Sequence, residues 1–236
     1  MLSGVNQGEK HPHIPARNIL DRIVLGGSDG AIEGLAMSSA LNGAGLGFST
    51  IRVAGLAFAL AGAISMFFST YLSRKSELES IRIDTTRERM EIEIEPEEEK
   101  REMEELLKKD GYKDDEIKVI MMRLAKDKNL WLKEMLRREL RVDVEEVQTN
   151  LFARPTAAGV AFFLLAILAI SPYTFSILRI DALFASVSLS LVALFALGSW
   201  VFIPRNFRPM AGLESALVGG LAGALLFLVG LLVSTI

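Results

Sequence analysis

The 236 residues contain no cysteine and only two histidines, His11 and His13. The missing thiols exclude a disulfide scaffold, a zinc–thiolate site, an iron–sulfur cluster and a cysteine nucleophile. Both histidines lie in a polar N-terminal tail, read as disordered rather than as a metal site, so a di-iron centre built on Glu-x-x-His motifs is not expected. Charge is scarce over most of the chain. Residues 74–154 hold 19 of the 26 Lys+Arg and 23 of the 29 Asp+Glu, leaving 13 charged residues for the other 155 positions. An ordinary soluble enzyme does not distribute charge in this way. The net charge of −3 and the mixed character of the charged block exclude a basic nucleic-acid stripe.

What is present instead is a set of long apolar runs. Val53–Ser73, Pro155–Leu178, Ala182–Pro204 and Ser215–Ile236 carry no charge over 21, 24, 23 and 22 residues. A bilayer core needs about 20 apolar residues as helix, and helices satisfy their own backbone where water is absent. A fifth span is expected between Arg22 and Arg52, although it carries Asp29 and Glu33 and is rich in Gly, Ala and Ser. Gly26, Gly30 and Gly34 recur at four-residue spacing there, as Gly219 and Gly223 do in the last span, which lets a second backbone approach closely. The expected fold is an all-α membrane protein of five transmembrane helices with a helical cytosolic insert between helices 2 and 3. Its parts are a polar tail (1–18), helices 1–2 (19–73), the insert (74–154) and helices 3–5 (155–236).

Residues 1–18 are polar and no cleavage pattern follows them, so no secretory signal is expected. Basic loop residues set the orientation. With the N-terminus in the cytosol, Lys10, Arg17, Arg22, the 74–154 block, Arg205 and Arg208 lie inside. Only Arg52 and Arg179 lie outside, and the C-terminus ends there.

The insert reads as folded. No breaker precedes Pro96, so the second span should run on as a helix through the charged block. Pro96 suits a first helical position and Glu97, Glu98 and Glu99 suit its positive dipole end. Gly111 should end that helix. Asp114 or Asp115 should cap the next, with Ile117, Ile120, Met121 and Leu124 on one face. A further helix should carry Leu132, Met135, Leu136 and Leu140. Residues 88–105 include ten glutamates. Glu88 and Glu91 share a face, as do Glu102 and Glu105, with Glu99 a turn before. Such a cluster is either a solvated acidic face balanced by Lys and Arg or an all-oxygen site for Fe²⁺, Mn²⁺, Mg²⁺ or Ca²⁺.

Ionisable groups inside a bilayer are costly and usually face a partner or pathway. Asp29 lies seven residues past Arg22, Met66 eight before Arg74 and Glu214 six past Arg208. At 1.5 Å per residue these are depths of roughly 10, 12 and 9 Å from the cytosolic side. Glu33 is one turn deeper than Asp29, and Met37 follows it. Carboxylates attract a dication, and a thioether favours a transition metal. Met66 as plain core filler and Glu214 as an interfacial acid are the alternatives.

Several segments together resemble the vacuolar iron transporter family. They are Ser28-Asp29-Gly30, Ala54-Gly55-Leu56-Ala57, Ala61-Gly62-Ala63-Ile64-Ser65-Met66, Tyr71-Leu72 before a charged helix, and Trp131-Leu132 through Met135 to Glu139. The order of parts matches too, over about residues 19–236. The resemblance implies a homodimer that exports Fe²⁺, and often Mn²⁺, from the cytosol in exchange for protons. It implies Asp29 and Met66 as pathway ligands, and Glu88, Glu91, Glu102, Glu105, Met135 and Glu139 as lining of a cytosolic metal-binding domain. The sequence departs from the family pattern at Phe58, where a glutamate is usual, and at Leu136, where a second methionine is common. Glu33 is a candidate to compensate for Phe58.

The expected function is therefore transport of divalent metal by proton antiport, with no tightly bound cofactor and no enzymatic activity. Metal ions, protons, the bilayer and a second copy are the expected partners. The membrane is a prokaryotic plasma membrane or a vacuole-type one. A membrane-anchored metal buffer or sensor, and a structural protein whose acidic helices bind a partner, are the rival readings.

Overall fold

The computed structural model describes residues 15–139, 150–175, 179–200 and 208–235. The tail with His11 and His13, and also Leu140 and Arg205, lie outside the described residues. Every element is helical: α1 (Pro15–Gly43), α2 (Phe48–Ile94), α3 (Pro96–Lys109), α4 (Asp114–Leu124), α5 (Lys128–Arg138), α6 (Ala153–Ile170), α7 (Pro172–Phe175), α8 (Arg179–Trp200) and α9 (Pro209–Val233). Four of them, α2, α6, α8 and α9, are long and apolar enough to cross a membrane. They carry the four charge-free runs. Helix α1, with Asp29 and Glu33, is 29 residues long but less apolar. The chain divides into two compact units, Met1–Tyr71 with Phe152–Ile236, and Leu72–Leu151.

In the first unit, α1 packs against α6, α8 and α9. The glycine stripe sets how closely. A Cβ on Gly26 would stand 2.1 Å from the Ala158 carbonyl oxygen, and one on Gly30 2.2 Å from that of Phe162. At Gly34 it would meet the Ala166 Cα at 3.0 Å. Both helices advance by four residues between contacts, so the backbones touch along matching rows. Further along α1, a Cβ on Gly230 of α9 would lie 2.0 Å from the Ala40 carbonyl oxygen. Gly219 and Gly223 meet side chains instead, Leu194 and Leu35. Helix α6 also holds α2. The Phe162 ring fills the space beside Gly62, and Gly159 faces the Ala63 carbonyl oxygen. Leu56, Leu60, Ile64 and Phe68 of α2 are exposed at helical spacing. At the end of this stretch Phe67, Tyr71 and Phe152 form a stack, with ring centroids 6.4 and 5.7 Å apart.

Helix α2 runs unbroken for 47 residues, about 70 Å of helix. It stops at Ile94 because Pro96 follows and starts α3 at its first position, with Glu97, Glu98 and Glu99 in the first turn. Gly111 then takes φ +92, a conformation that favours glycine. Its N–H bonds the Lys108 carbonyl, and that of Tyr112 bonds Leu107, closing the end of α3. The start of α4 differs from expectation. Asp114 and Asp115 lie inside its first turn, and Lys113 is the flanking residue, its N–H donating to the Glu116 carboxylate at 2.8 Å. With Asp114 and Asp115 already helical, the side chain three residues on reaches back to the free N–H. Asp127 caps α5 by accepting from Leu130 N–H at 3.1 Å. Arg138 fastens the other end of α5, pairing with Glu134 and Asp110 and lying over the Tyr112 ring.

The core of this second unit is Ile92, Met103, Leu107, Ile117, Met121, Leu124, Trp131, Leu132, Met135 and Leu136. Helices α3, α4 and α5 thus close an apolar centre against the end of α2.

Candidate metal-handling sites

Two groups of chemistry-bearing residues stand out, one in each unit. In the Leu72–Leu151 unit, Glu88 on α2 and Glu99 on α3 are almost fully buried, at 2% and 5% exposed. The Pro96 corner folds α3 back so that they meet. One oxygen of each, Glu88 Oε1 and Glu99 Oε2, is buried without a hydrogen-bond partner. Burial, then hydrogen bonding to Glu99 and repulsion by Glu139 and Glu99, pushes the Glu88 carboxyl up to about 8. At neutral pH Glu88 therefore carries a proton and donates it towards Glu99. Glu99 is also raised, chiefly by burial, and Glu102 likewise. Repulsion from Glu91 and Glu139 adds to both.

Glu91, Glu102 and Glu139 form the more open margin of this pair. Glu91 also pairs with Arg87 at 3.8 Å. Glu105 is exposed on α3. Met135 is fully buried in the apolar core. Leu136 packs beside it. Among the described residues, no three carboxylates yet converge as a ready ligand set. A dication would have to displace the Glu88 proton and draw the marginal carboxylates inward.

The raised Glu88 carboxyl makes stability depend on pH. The folded protein binds more protons than the unfolded chain between the ordinary value of 4.5 and about 8. Stability of the metal-free protein therefore falls as pH rises through that window. Thermal unfolding measured across it should show the decline, and Glu88→Gln should flatten it. An unchanged slope in that variant would refute the buried-proton assignment.

In the other unit, Asp29 on α1 is half-buried and Glu33, one turn on, is exposed. Neither has an ion-pair partner among the described residues. Met66 on α2 is half-buried against Ala59, Phe162 and Ala166. Phe162 presents its backbone to Gly30 of α1 and its ring to Gly62 of α2. Asp29 and Met66 thus belong to helices on two flanks of α6. Phe58 points at the same aromatic cluster, its ring 6.1 Å from Phe162. Glu214 is exposed on α9, and Met37 is half-buried on α1.

Sequence reasoning overlooked Thr70, which is buried and directs its hydroxyl at the Met66 sulfur from 3.9 Å. The four-residue spacing from Met66 was the available signal. It also overlooked a buried hydroxyl chain. Ser38 of α1 meets Ser186 of α8 at 3.3 Å, and Ser186 donates to the Ala169 carbonyl of α6 at 2.5 Å.

The chain is similar to known proteins over most of its length. The VIT family model matches residues 20–231. The chain is 33% identical over 216 residues to Vacuolar iron transporter 1 of Arabidopsis thaliana, covering 91% of this chain and 86% of that protein. It is 32% identical over 219 residues to Vacuolar iron transporter 1 of Eucalyptus grandis, covering 92% and 88%. It is 29% identical over 238 residues to the Vacuolar iron transporter of Plasmodium berghei (strain Anka), covering 96% and 87%.

Proposed function

The chain belongs to the VIT family, and from that premise we propose that it is an integral membrane transporter carrying Fe²⁺, and Mn²⁺ as a second substrate, out of the cytosol in exchange for protons. The observation that carries this reading is the placement of Asp29 and Glu33. They sit on a helix packed backbone-to-backbone into the membrane unit, yet no cation neutralises them among the described residues. A carboxylate exposed at that depth is too costly to face lipid. A fifth membrane crossing by α1, with a second copy of the chain covering its open face, removes that cost and encloses a polar path. In a homodimer, Met66 of one copy has no need to reach Asp29 of the same copy past Phe162.

The remaining roles follow from ligand chemistry. Glu88, Glu91, Glu99, Glu102 and Glu139 collect the dication on the cytosolic side, with Met135 as a soft donor if the core opens to it, and Glu105 as an outer acid. Asp29, Met66 and Glu33 receive it in the membrane. A proton arriving from the far side competes with the metal for a carboxylate and releases it. Glu33 stands in for the acid lacking at Phe58, whose ring belongs to the Phe162 cluster. Glu33→Gln should therefore lower proton-driven flux and shift its pH profile. Flux and profile matching the wild type would remove Glu33 from the path.

The non-transporting buffer or sensor uses only the acidic unit and leaves Asp29 and Glu33 without a purpose. Metal uptake into proteoliposomes, Fe²⁺ against Mn²⁺ with and without a pH gradient, separates the two readings. Transport predicts uptake above that of protein-free vesicles, and the buffer predicts none.

A further inference from the structure

The Leu72–Leu151 unit contains a cavity of about 550 Å³ that the acidic cluster does not use. It is lined by the cytosolic stretch of α2, by Leu136 of α5 and by Leu151. Its volume falls in the range of about 300–1,000 Å³ that small organic ligands occupy. Among the described residues three cations line it, Lys75, Arg82 and Arg89, at seven-residue intervals. Seven residues are close to two turns, so they form one row with roughly 10 Å of rise between neighbours.

These cations differ from those around them. Arg74 pairs with Glu77 at 2.8 Å, and Arg87 with Asp84 and Glu91 at 3.9 and 3.8 Å. Lys75, Arg82 and Arg89 have no carboxylate at ion-pair distance among the described residues. Among the described residues Glu79 is the one acid on the wall, so the described wall is net positive. Leu78, Ile81, Leu136 and Leu151 supply an apolar surface beside the row. Thr85 and Thr86 donate their hydroxyls back to the Ile81 and Arg82 carbonyls at 2.7 and 2.8 Å. They therefore leave anion recognition to the cations.

The geometry points to a binding site for a phosphate ester with an apolar body, its phosphates on Lys75 and Arg82 and its body against Leu78, Ile81, Leu136 and Leu151. Divalent metal would be drawn to the acidic cluster, whereas this row repels it. An apolar ligand without charge would leave three unneutralised cations on its edge. Phosphate spread along the row satisfies them by charge-assisted hydrogen bonds. Such an ester has two sources, a soluble nucleotide or a phosphorylated lipid headgroup. Lys75 lies two residues past the charge-free run Val53–Ser73 on the same helix, within reach of either.

The test uses the full-length protein in metal-free buffer with a chelator, which keeps it independent of the transport reading. Equilibrium dialysis with ATP, and titration with nanodiscs containing a phosphatidylinositol phosphate against phosphatidylcholine alone, give the two arms. Saturable binding in at least one arm is expected, and which arm responds identifies the source. The double variant Lys75→Gln/Arg82→Gln should weaken it by about tenfold or more. Lys100→Gln, which removes a cation already paired with Glu97, should leave it unchanged. Unchanged circular dichroism establishes that the double variant is folded, since both side chains are exposed. No saturable binding in either arm, or equal loss in Lys100→Gln, overturns the site.

Discussion

Asp29→Ala should reduce metal flux in proteoliposomes to the level of protein-free vesicles, while the purified protein should keep its wild-type unfolding temperature. The two halves of this result have separate physical causes. Asp29 is half-buried beside the α1–α6 contact, but its neighbour Gly30, not Asp29 itself, makes the close approach to Phe162. Removing the carboxylate therefore leaves the packing alone and removes a desolvation cost. What would be lost, on the proposed reading, is the charge that replaces part of the hydration shell of a dication in a low-dielectric path. Thioethers such as Met66 carry no charge and cannot substitute for it. Wild-type flux in Asp29→Ala would remove the residue from the path. A collapse of stability would make it a structural acid instead.

The second large effect is on the fold. Gly30→Leu should leave little folded protein, because even the first carbon of a side chain would stand 2.2 Å from a backbone oxygen. A flexible neighbour can turn aside, but a carbonyl in the middle of α6 cannot. The helices must separate to accept even alanine, and the same contact row includes Gly26 and Gly34. Overpacking costs typically 1–3 kcal/mol where side chains can adjust, and here the obstacle is main chain. Gly30→Ala should lower the unfolding temperature markedly. Gly220→Ala is the internal comparison, since its Cβ would meet Leu191 at an ordinary 3.5 Å. Fluorescence-detected size-exclusion chromatography with thermal challenge reads all three. Equal tolerance of Gly30→Ala and Gly220→Ala would contradict the close packing.

Much of this architecture was legible from residue order, for identifiable reasons. Charge-free length alone located α2, α6, α8 and α9. The glycine spacing marked the face of α1 that another backbone approaches, because only small residues allow such an approach, but it did not say that α6 is that partner. Pro96 and Gly111 marked helix limits because each restricts or permits one backbone conformation. Legibility ended where the answer depended on direction around a helix axis or on contact between helices. Helix rise placed Asp29 and Met66 at similar depth but carried no information about azimuth. The two appear on helices that both pack against α6. Spacing along one helix grouped Glu102 with Glu105. The corner at Pro96 also brings Glu88 against Glu99, a contact between helices that spacing along one helix does not show. Lys113 flanks α4 ahead of two aspartates because Glu116 supplies the returning carboxylate, a choice among adjacent acids that composition does not resolve.

In the proposed transporter, metal movement is coupled to proton movement. The direct measurement loads proteoliposomes with a pH-sensitive dye, sets the interior acidic, adds Fe²⁺ outside, and follows metal uptake and interior pH together. Antiport predicts that Fe²⁺ enters and the interior alkalinises faster than it leaks without metal. It also predicts that both signals vanish in Asp29→Ala. Fe²⁺ uptake with no metal-dependent change in interior pH would contradict proton coupling, and no uptake at all would contradict transport.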